Sequence, residues 1–188
     1  MAVQIGQKPE HGFTEPLGLL TDCHRRIERF LNVLARVADE VRGAEMNAEQ
    51  KQAFIAALQY FRDAAPKHTA DEERSLFPRL RAARGAEVEA ALAEVDRLEA
   101  DHVRADRLHH EVDELGCAWI RNGRLPAQSA ERLCTLTRKL QDIYAAHIEL
   151  EDTRVFPLAA RVLLAEDEQQ AIGREMAARR NVFVEPIR

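Results

Sequence analysis

The sequence is poor in cysteine and has no excess of basic residues, and each shortage excludes a class of protein. Its three cysteines, Cys23, Cys117 and Cys134, are odd in number and form no Cys-x-x-Cys pair. A disulfide framework or a thiolate metal site is therefore not expected, and a reducing cytoplasm is the predicted compartment. The net charge of −5 does not suggest the basic face typical of nucleic-acid-binding proteins, so we expect no nucleic acid partner.

Long apolar runs and strand patterns are also missing. No run approaches the roughly 18 apolar residues that a membrane-spanning helix needs. The first 13 residues contain Gly6, Pro9 and Gly12 and lack the apolar core of a secretory signal. We find no stretch of alternating β-branched residues that would predict a strand. These absences leave an all-α protein without a membrane partner.

Four long segments instead show the apolar spacing of core-facing helices. They cover approximately residues 14–42, 47–77, 86–122 and 126–155. Their short links predict antiparallel neighbours in an up-down-up-down four-helix bundle, and Pro66 is expected to kink the second helix. We divide the chain into a flexible N-terminal arm (1–13), the bundle (14–165), and a short C-terminal helix with a tail (166–188).

Two His-x-x-x-Glu motifs are the most informative feature of the chain. His68 and Glu72 form the first, and His147 and Glu151 form the second. Positions four residues apart on a helix lie on the same face, so each motif projects an imidazole and a carboxylate in one direction. Both pairs lie on apolar stripes, where polar groups are costly to bury without partners.

The two motifs belong to an internal repeat. The second follows the first by 79 residues, and two single histidines on apolar stripes, His24 and His102, lie 78 residues apart. Each half of the chain thus supplies one single histidine and one motif. Two helix pairs related in this way would close into a bundle whose axis faces four imidazoles and two carboxylates.

These donors suit two metal ions better than one. Four imidazoles and two carboxylates are too many for one tetrahedral zinc. We therefore predict two transition metals that share the carboxylates, with two imidazoles on each and open positions for an oxo or hydroxo bridge, water, O₂ or NO. The absence of thiolate favours iron or manganese, with zinc as a further substitute. The predicted ligands are His24, His68, Glu72, His102, His147 and Glu151.

Five further residues are candidates for additional ligands or for hydrogen bonds to ligands. Glu28 and Asp106 each lie four residues beyond a single histidine, and the alternative is that both are solvated acids. Tyr60 and Tyr144 could reach a bridging oxygen or a metal, or could be core aromatics with one hydrogen bond. His109 lies two turns from His102, where it could support a ligand or belong to the core.

The complete pattern, His…His-x-x-x-Glu…His…His-x-x-x-Glu with the exit Glu-Glu-Arg-Ser-Leu-Phe-Pro at 72–78, resembles the hemerythrin-like HHE cation-binding family over roughly residues 15–160. The resemblance implies an up-down-up-down bundle with a non-haem di-iron centre. In that centre the four histidines would be terminal ligands, and Glu72 and Glu151 would be bridges.

Two positions depart from the oxygen-carrying hemerythrins. Asp106 stands where those proteins have a second histidine on the third helix, and the last motif, His147-x-x-x-Glu151, replaces their His-x-x-x-x-Asp. In this respect the chain is more similar to the bacterial RIC-type iron–sulfur repair proteins and to mycobacterial hemerythrin-like proteins.

Three functions are compatible with these residues. The first is a di-iron protein that binds or senses O₂, NO or peroxide, or that stores iron. The second is a di-iron enzyme that reduces peroxide or NO or donates iron to damaged clusters. The third is a helical interaction module without metal, in which the histidines are structural. The oligomeric state is left open.

Overall fold

The fold is all-α, as the periodicity predicts. The computed structural model describes residues 11–163 and 166–183, and this part of the chain contains no strand. Its helices are α1 (Pro16–Val41), α2 (Ala48–Asp63), α3 (Ala65–Asp71), α4 (Phe77–Ala82), α5 (Ala86–Asn122), α6 (Ala127–Leu150), α7 (Phe156–Val162) and α8 (Glu166–Ala178). Two π-helical turns, Glu72–Leu76 and Glu151–Val155, join α3 to α4 and α6 to α7.

Four of these helices close a bundle. Helix α1 packs against α2 and α6, and α5 packs against the same two helices from the other side. Short links at 42–47 and 123–126 join consecutive helices, which fits antiparallel neighbours. A capping box begins α2, because Gln50 donates its backbone N–H to Asn47 Oδ1 at 2.8 Å and Asn47 donates to Gln50 Oε1 at 3.1 Å.

Proline determines where the second and fourth helices of the bundle change course. The expected kink at Pro66 is a break at Ala64, which separates α2 from α3. Pro78 and Pro157 follow the two π turns. A proline ring clashes with the carbonyl four residues earlier, and for both prolines that residue lies within the π turn. Widening the helix by one residue relieves the clash, so the chain continues as α4 and α7. The fourth helical segment therefore extends beyond residue 155, where the sequence predicts its end.

The apolar core consists of two clusters. One contains Ile27 and Ala105 and is filled by Trp119 and Phe54, and the other contains Leu20 and Leu98. On α1 and on α5 the chain passes from one cluster to the other through the turn that carries a single histidine. The bundle therefore has a polar layer between its two apolar halves.

Helix α8 docks on the same layer from outside the bundle. It packs against α1, α3 and the first π turn. Asp71, which is fully buried, accepts hydrogen bonds from Arg179 at 2.9 Å and Arg180 at 2.6 Å, just beyond the end of α8. Arg79 on α4 donates two hydrogen bonds to Glu175. The C-terminal helix is thus anchored one residue away from Glu72.

The predicted terminal segments lie partly outside the described residues. This holds for residues 1–10 of the arm and 184–188 of the tail, whereas His11 donates its backbone N–H to Asp22 on α1. The division of the chain into arm, bundle and tail remains a prediction. No helix in the described part is both long and apolar enough to cross a membrane.

Candidate metal centre

The six histidine and glutamate side chains predicted from the repeat come together in the polar layer. All six are buried, and three of them have no exposed surface. Four helices and two π turns contribute them: His24 from α1, His68 from α3, His102 from α5, His147 from α6, and Glu72 and Glu151 from the first residues of the two π turns.

These side chains form two clusters that share both carboxylates. Each cluster combines two imidazoles, one from a single histidine and one from a motif, with Glu72 and Glu151. The ligand atoms within each cluster lie within 4.8 Å of one another. The first cluster is His24, His68, Glu72 and Glu151, and the second is Glu72, His102, His147 and Glu151.

The separations between donor atoms are those of ligands around a common ion. Two ligands about 2.1 Å from an ion and at right angles to each other lie about 3.0 Å apart. His68 Nε2 lies 3.1 Å from Glu72 Oε1, and His147 Nε2 lies 3.2 Å from Glu151 Oε2. His102 Nε2 and His147 Nε2 face each other at 3.1 Å. Each cluster therefore has the dimensions of a metal site.

Despite these short separations, most of the facing atoms have no hydrogen-bond partner in the structure. The four carboxylate oxygens of Glu72 and Glu151 are buried and unpartnered, and so is His24 Nε2. A buried polar atom without a partner costs on the order of 1–3 kcal/mol, and more if it is charged. Two cations placed between the imidazoles and the carboxylates would satisfy all five atoms, so the residues fit the group that the clusters imply.

Two more carboxylates hold the outer nitrogens of the single histidines. Asp152 Oδ1 lies 2.8 Å from His24 Nδ1, and Glu73 Oε1 lies 2.9 Å from His102 Nδ1. A carboxylate on the outer nitrogen fixes the ring orientation and leaves Nε2 free for a metal. The two residues are repeat equivalents, 79 positions apart, and each directly follows a glutamate that belongs to both clusters. Each half of the repeat therefore orients the single histidine of the other half.

Sequence reasoning did not assign these roles to Asp152 and Glu73. On a regular helix neighbouring residues point about 100° apart, so an acid directly after Glu72 or Glu151 would not be expected at the same centre. The π turns begin at Glu72 and Glu151 and change the direction of the following side chain. The sequence feature that could have revealed these roles is the pair of adjacent acids that occurs in both halves of the repeat, Glu72-Glu73 and Glu151-Asp152.

The five secondary candidates are placed differently. Glu28 points away from the clusters to pair with Arg25, and its side chain is 45% exposed. Asp106 is exposed at the mouth of a cavity, and Tyr60 stacks on Phe30. None of these three is a member of either cluster, so the structure does not bring them to the centre.

The other two candidates form a pair beside the second cluster. His109 Nε2 and the Tyr144 hydroxyl are hydrogen-bonded at 3.2 Å, and the Tyr144 ring lies 6.2 Å from the His147 ring. Burial lowers the pKa of His109 to about 4 and raises that of Tyr144. The pair is therefore neutral at pH 7, and the His109 ring supports Tyr144.

The metal-free centre balances its charge with protons. Burial alone would raise the pKa of Glu72, but the facing imidazoles His68, His102 and His24 hold it well below the usual range. Burial alone would lower the pKa of His24, but Asp152, Glu151 and Glu72 raise it well above 6.5. The pKa of His102 is raised to about 9 against burial, chiefly by Glu72. Both shifts favour the protonated form of these two histidines in the metal-free centre.

Comparison with known proteins agrees with this site. Residues 15–159 match the family described as the hemerythrin HHE cation binding domain. An uncharacterised protein of Haemophilus influenzae is 28% identical over 174 residues, which cover 90% of this chain and 92% of that protein. Together with the two clusters, the family match indicates a metal-binding site.

Metal uptake by the metal-free protein at pH 7 is expected to release protons, because the raised pKa values of His24 and His102 favour a proton on each, and that proton must be lost before the ring can bind a metal. The apparent affinity should therefore rise with pH up to about pH 9 and fall as the solution is acidified. Calorimetric titration in buffers of different ionisation enthalpy measures the released protons. Uptake without proton release would contradict this charge balance.

Proposed function

Since the chain belongs to the hemerythrin HHE cation-binding domain family, we propose that it is a non-haem di-iron protein. In this proposal its two buried clusters hold one iron each. Its function is to bind a small ligand such as O₂, NO or peroxide, or to respond to or store iron.

The observation that carries the proposal is the sharing of Glu72 and Glu151 between the two clusters. A carboxylate has two oxygens and can contact two ions at once. Both oxygens of each glutamate are buried without hydrogen-bond partners. One ion would leave half of these oxygens unsatisfied, whereas two ions satisfy both glutamates symmetrically. The donor set therefore supports a pair of metals.

The chemical character of the donors supports iron. Each cluster offers two imidazoles and two carboxylates, and neither contains a thiolate. This mixture suits iron or manganese, whereas copper(I) prefers soft sulfur ligands. Cys23 is buried near α3, but its sulfur accepts a hydrogen bond from Arg26 at 3.1 Å and is not part of a cluster.

The protein's own residues hold and orient the ligands. Asp152 and Glu73 keep the Nε2 atoms of His24 and His102 directed inwards, and the aromatic rings of Phe156 and Phe77 stack on those same two imidazoles. When bound, iron would supply a change of oxidation state and open coordination positions for a small molecule. The two apolar clusters enclose the layer from above and below along the bundle axis.

A second candidate is a di-iron enzyme that reduces peroxide or NO or takes part in iron–sulfur cluster repair. The observation in its favour is a cavity of about 310 Å³ lined by His102, His109 and Tyr144. This volume exceeds what a diatomic molecule occupies, and a hydroxyl group on the wall could donate a hydrogen bond to a reacting oxygen.

The proposal is tested by replacing both bridging glutamates, Glu72→Gln and Glu151→Gln, which keeps the shape of the side chains and removes their charge. Native protein expressed with iron should contain about two irons per chain, one for each cluster. The double variant should lose most of this iron. It should also lose the stabilisation by metal, which is about 3 kcal/mol for each bound ion when the free ion is at a hundred times its dissociation constant. Elemental analysis and urea unfolding measure the two effects.

Glu28→Gln is the matched control, because Glu28 lies one turn from His24 but points to solvent. This variant should keep both irons and the full stabilisation. Zinc alone in the native protein after iron-rich expression, or unchanged iron in the double variant, would contradict the proposal.

The two candidate functions differ in how the reduced protein responds to ligands. A binding protein should form one adduct with NO or O₂ per iron pair, seen as new charge-transfer absorption that disappears when the gas is removed. An enzyme should instead consume many equivalents of hydrogen peroxide or NO per chain. Stopped-flow absorbance with a reductant present measures both. No spectral response to O₂, NO or hydrogen peroxide would contradict ligand binding and catalysis alike, and would leave iron sensing or storage as the function.

A further inference from the structure

The two metal positions have matching ligands, but surrounding side chains shield one of them from solvent more completely than the other. We propose that a small exogenous ligand reaches the pair only from the side of His102 and His147, through the cavity beside α5, and binds at that position. This inference rests on the proposed di-iron function. It assigns the ligand to one of two chemically equivalent halves.

The side of His24 is closed in the described part of the chain. The imidazole of His24 has no exposed surface, and the ring of Phe156 stacks on it at 5.3 Å. Its outer nitrogen is covered by Asp152, whose other oxygen accepts a hydrogen bond from Arg25 at 3.2 Å. Thr21 donates to Asp152 from the same helix at 3.3 Å. Four side chains, those of Phe156, Asp152, Arg25 and Thr21, thus cover His24.

Helix α8 covers the first cluster from a second direction. Arg179 and Arg180 at its end bond to Asp71, next to Glu72 in the chain, and Arg179 also donates to Ser75 Oγ at 2.7 Å. These contacts place the helix across the π turn that carries Glu72. A molecule approaching the His24 position from this side would have to displace the helix.

The side of His102 is open. A cavity of about 310 Å³ extends from this histidine towards the surface, and none of the other five predicted ligands lines it. Its wall includes the small side chains of Thr69 and Ala70. Val103 at its edge is 54% exposed although it is apolar. A second cavity of about 230 Å³ shares Phe61 and His109 with it. The cavity therefore brings a small molecule against His102, one of the two histidines of the second cluster.

Differences between the two halves of the repeat explain this asymmetry. Val103 is the repeat equivalent of Arg25, which donates a hydrogen bond to Asp152. Valine has no donor, so it cannot hold Glu73, the equivalent of Asp152, in the same way. Ala70 corresponds to Glu149, so a small side chain lines the cavity where the other half has a long one. The repeat conserves the ligands of the two positions and varies the residues that cover them.

The cavity also contains a hydrogen-bonding group for a bound ligand. The Tyr144 hydroxyl lies on its wall and is paired with His109 Nε2 at 3.2 Å. Binding at the His102 position would therefore place the ligand in the cavity that Tyr144 lines.

The test uses azide as the probe and obstructs the cavity without changing a predicted ligand. Ala70→Trp fills the cavity from its wall, and Val103→Trp narrows its mouth from a position that already faces solvent. Glu149→Trp is the matched control, because it adds the same side chain at the exposed repeat equivalent of Ala70. Each variant is loaded with iron and oxidised, and its iron content and near-ultraviolet circular dichroism are compared with the native protein.

Azide association is then followed by stopped-flow absorbance. The two cavity variants should keep their iron and associate with azide on the order of tenfold more slowly, and the control should match the native rate. Equal rates in all four proteins, or equal slowing by Glu149→Trp, would overturn the inference while leaving the di-iron function intact. If Ala70→Trp fails to hold iron, Val103→Trp decides the matter. A native protein that holds no iron would overturn both the inference and the function on which it rests.

Discussion

The structure depends on the burial of two carboxylates among four imidazoles. Neither glutamate has a hydrogen-bond partner for either oxygen, although both lie in the interior of the bundle. Such an arrangement is expensive for a fold whose total stability is only about 5–15 kcal/mol. Metal ions between the donors would offset this cost, because a preformed site exists only in the folded chain. In the metal-free protein the raised pKa values of His24 and His102 favour a proton on each ring, which offsets part of it.

The rest of the bundle is arranged so that the polar layer does not weaken the core. Two apolar clusters, one around Trp119 and one around Phe77, are complete on either side of it. The π turns place a glutamate inwards and the next acid against a histidine of the other half. Because the two halves exchange these contacts, neither helix pair can form the centre by itself. Helix α8, bonded to Asp71, fixes the first π turn from outside.

Much of the fold and of the candidate metal centre could be predicted from the sequence, because ligand spacing and apolar periodicity are properties of single helices. The four-helix bundle and the family follow from the two His-x-x-x-Glu motifs and the repeat, and the family match and the helices confirm them. The convergence of the six side chains follows from their positions on the apolar stripes. The third helix begins and ends at the predicted residues, since Gly85 and Gly123 flank it.

The contacts that depend on local distortion or on distant parts of the chain could not be predicted. Regular helical geometry points to Glu28 as the partner of His24, yet the π turn after α6 brings Asp152, 128 residues away, to that position. The unequal cover of the two halves depends on Arg25, Phe156 and α8, which meet only in three dimensions.

Crystals of the iron-loaded protein, with diffraction measured on both sides of the iron absorption edge, show directly whether the buried donors hold two ions. We expect two anomalous peaks, one between His24 and His68 and the other between His102 and His147, with Glu72 and Glu151 in contact with both. A single peak shared by all six side chains, or iron bound elsewhere on the chain, would contradict this expectation.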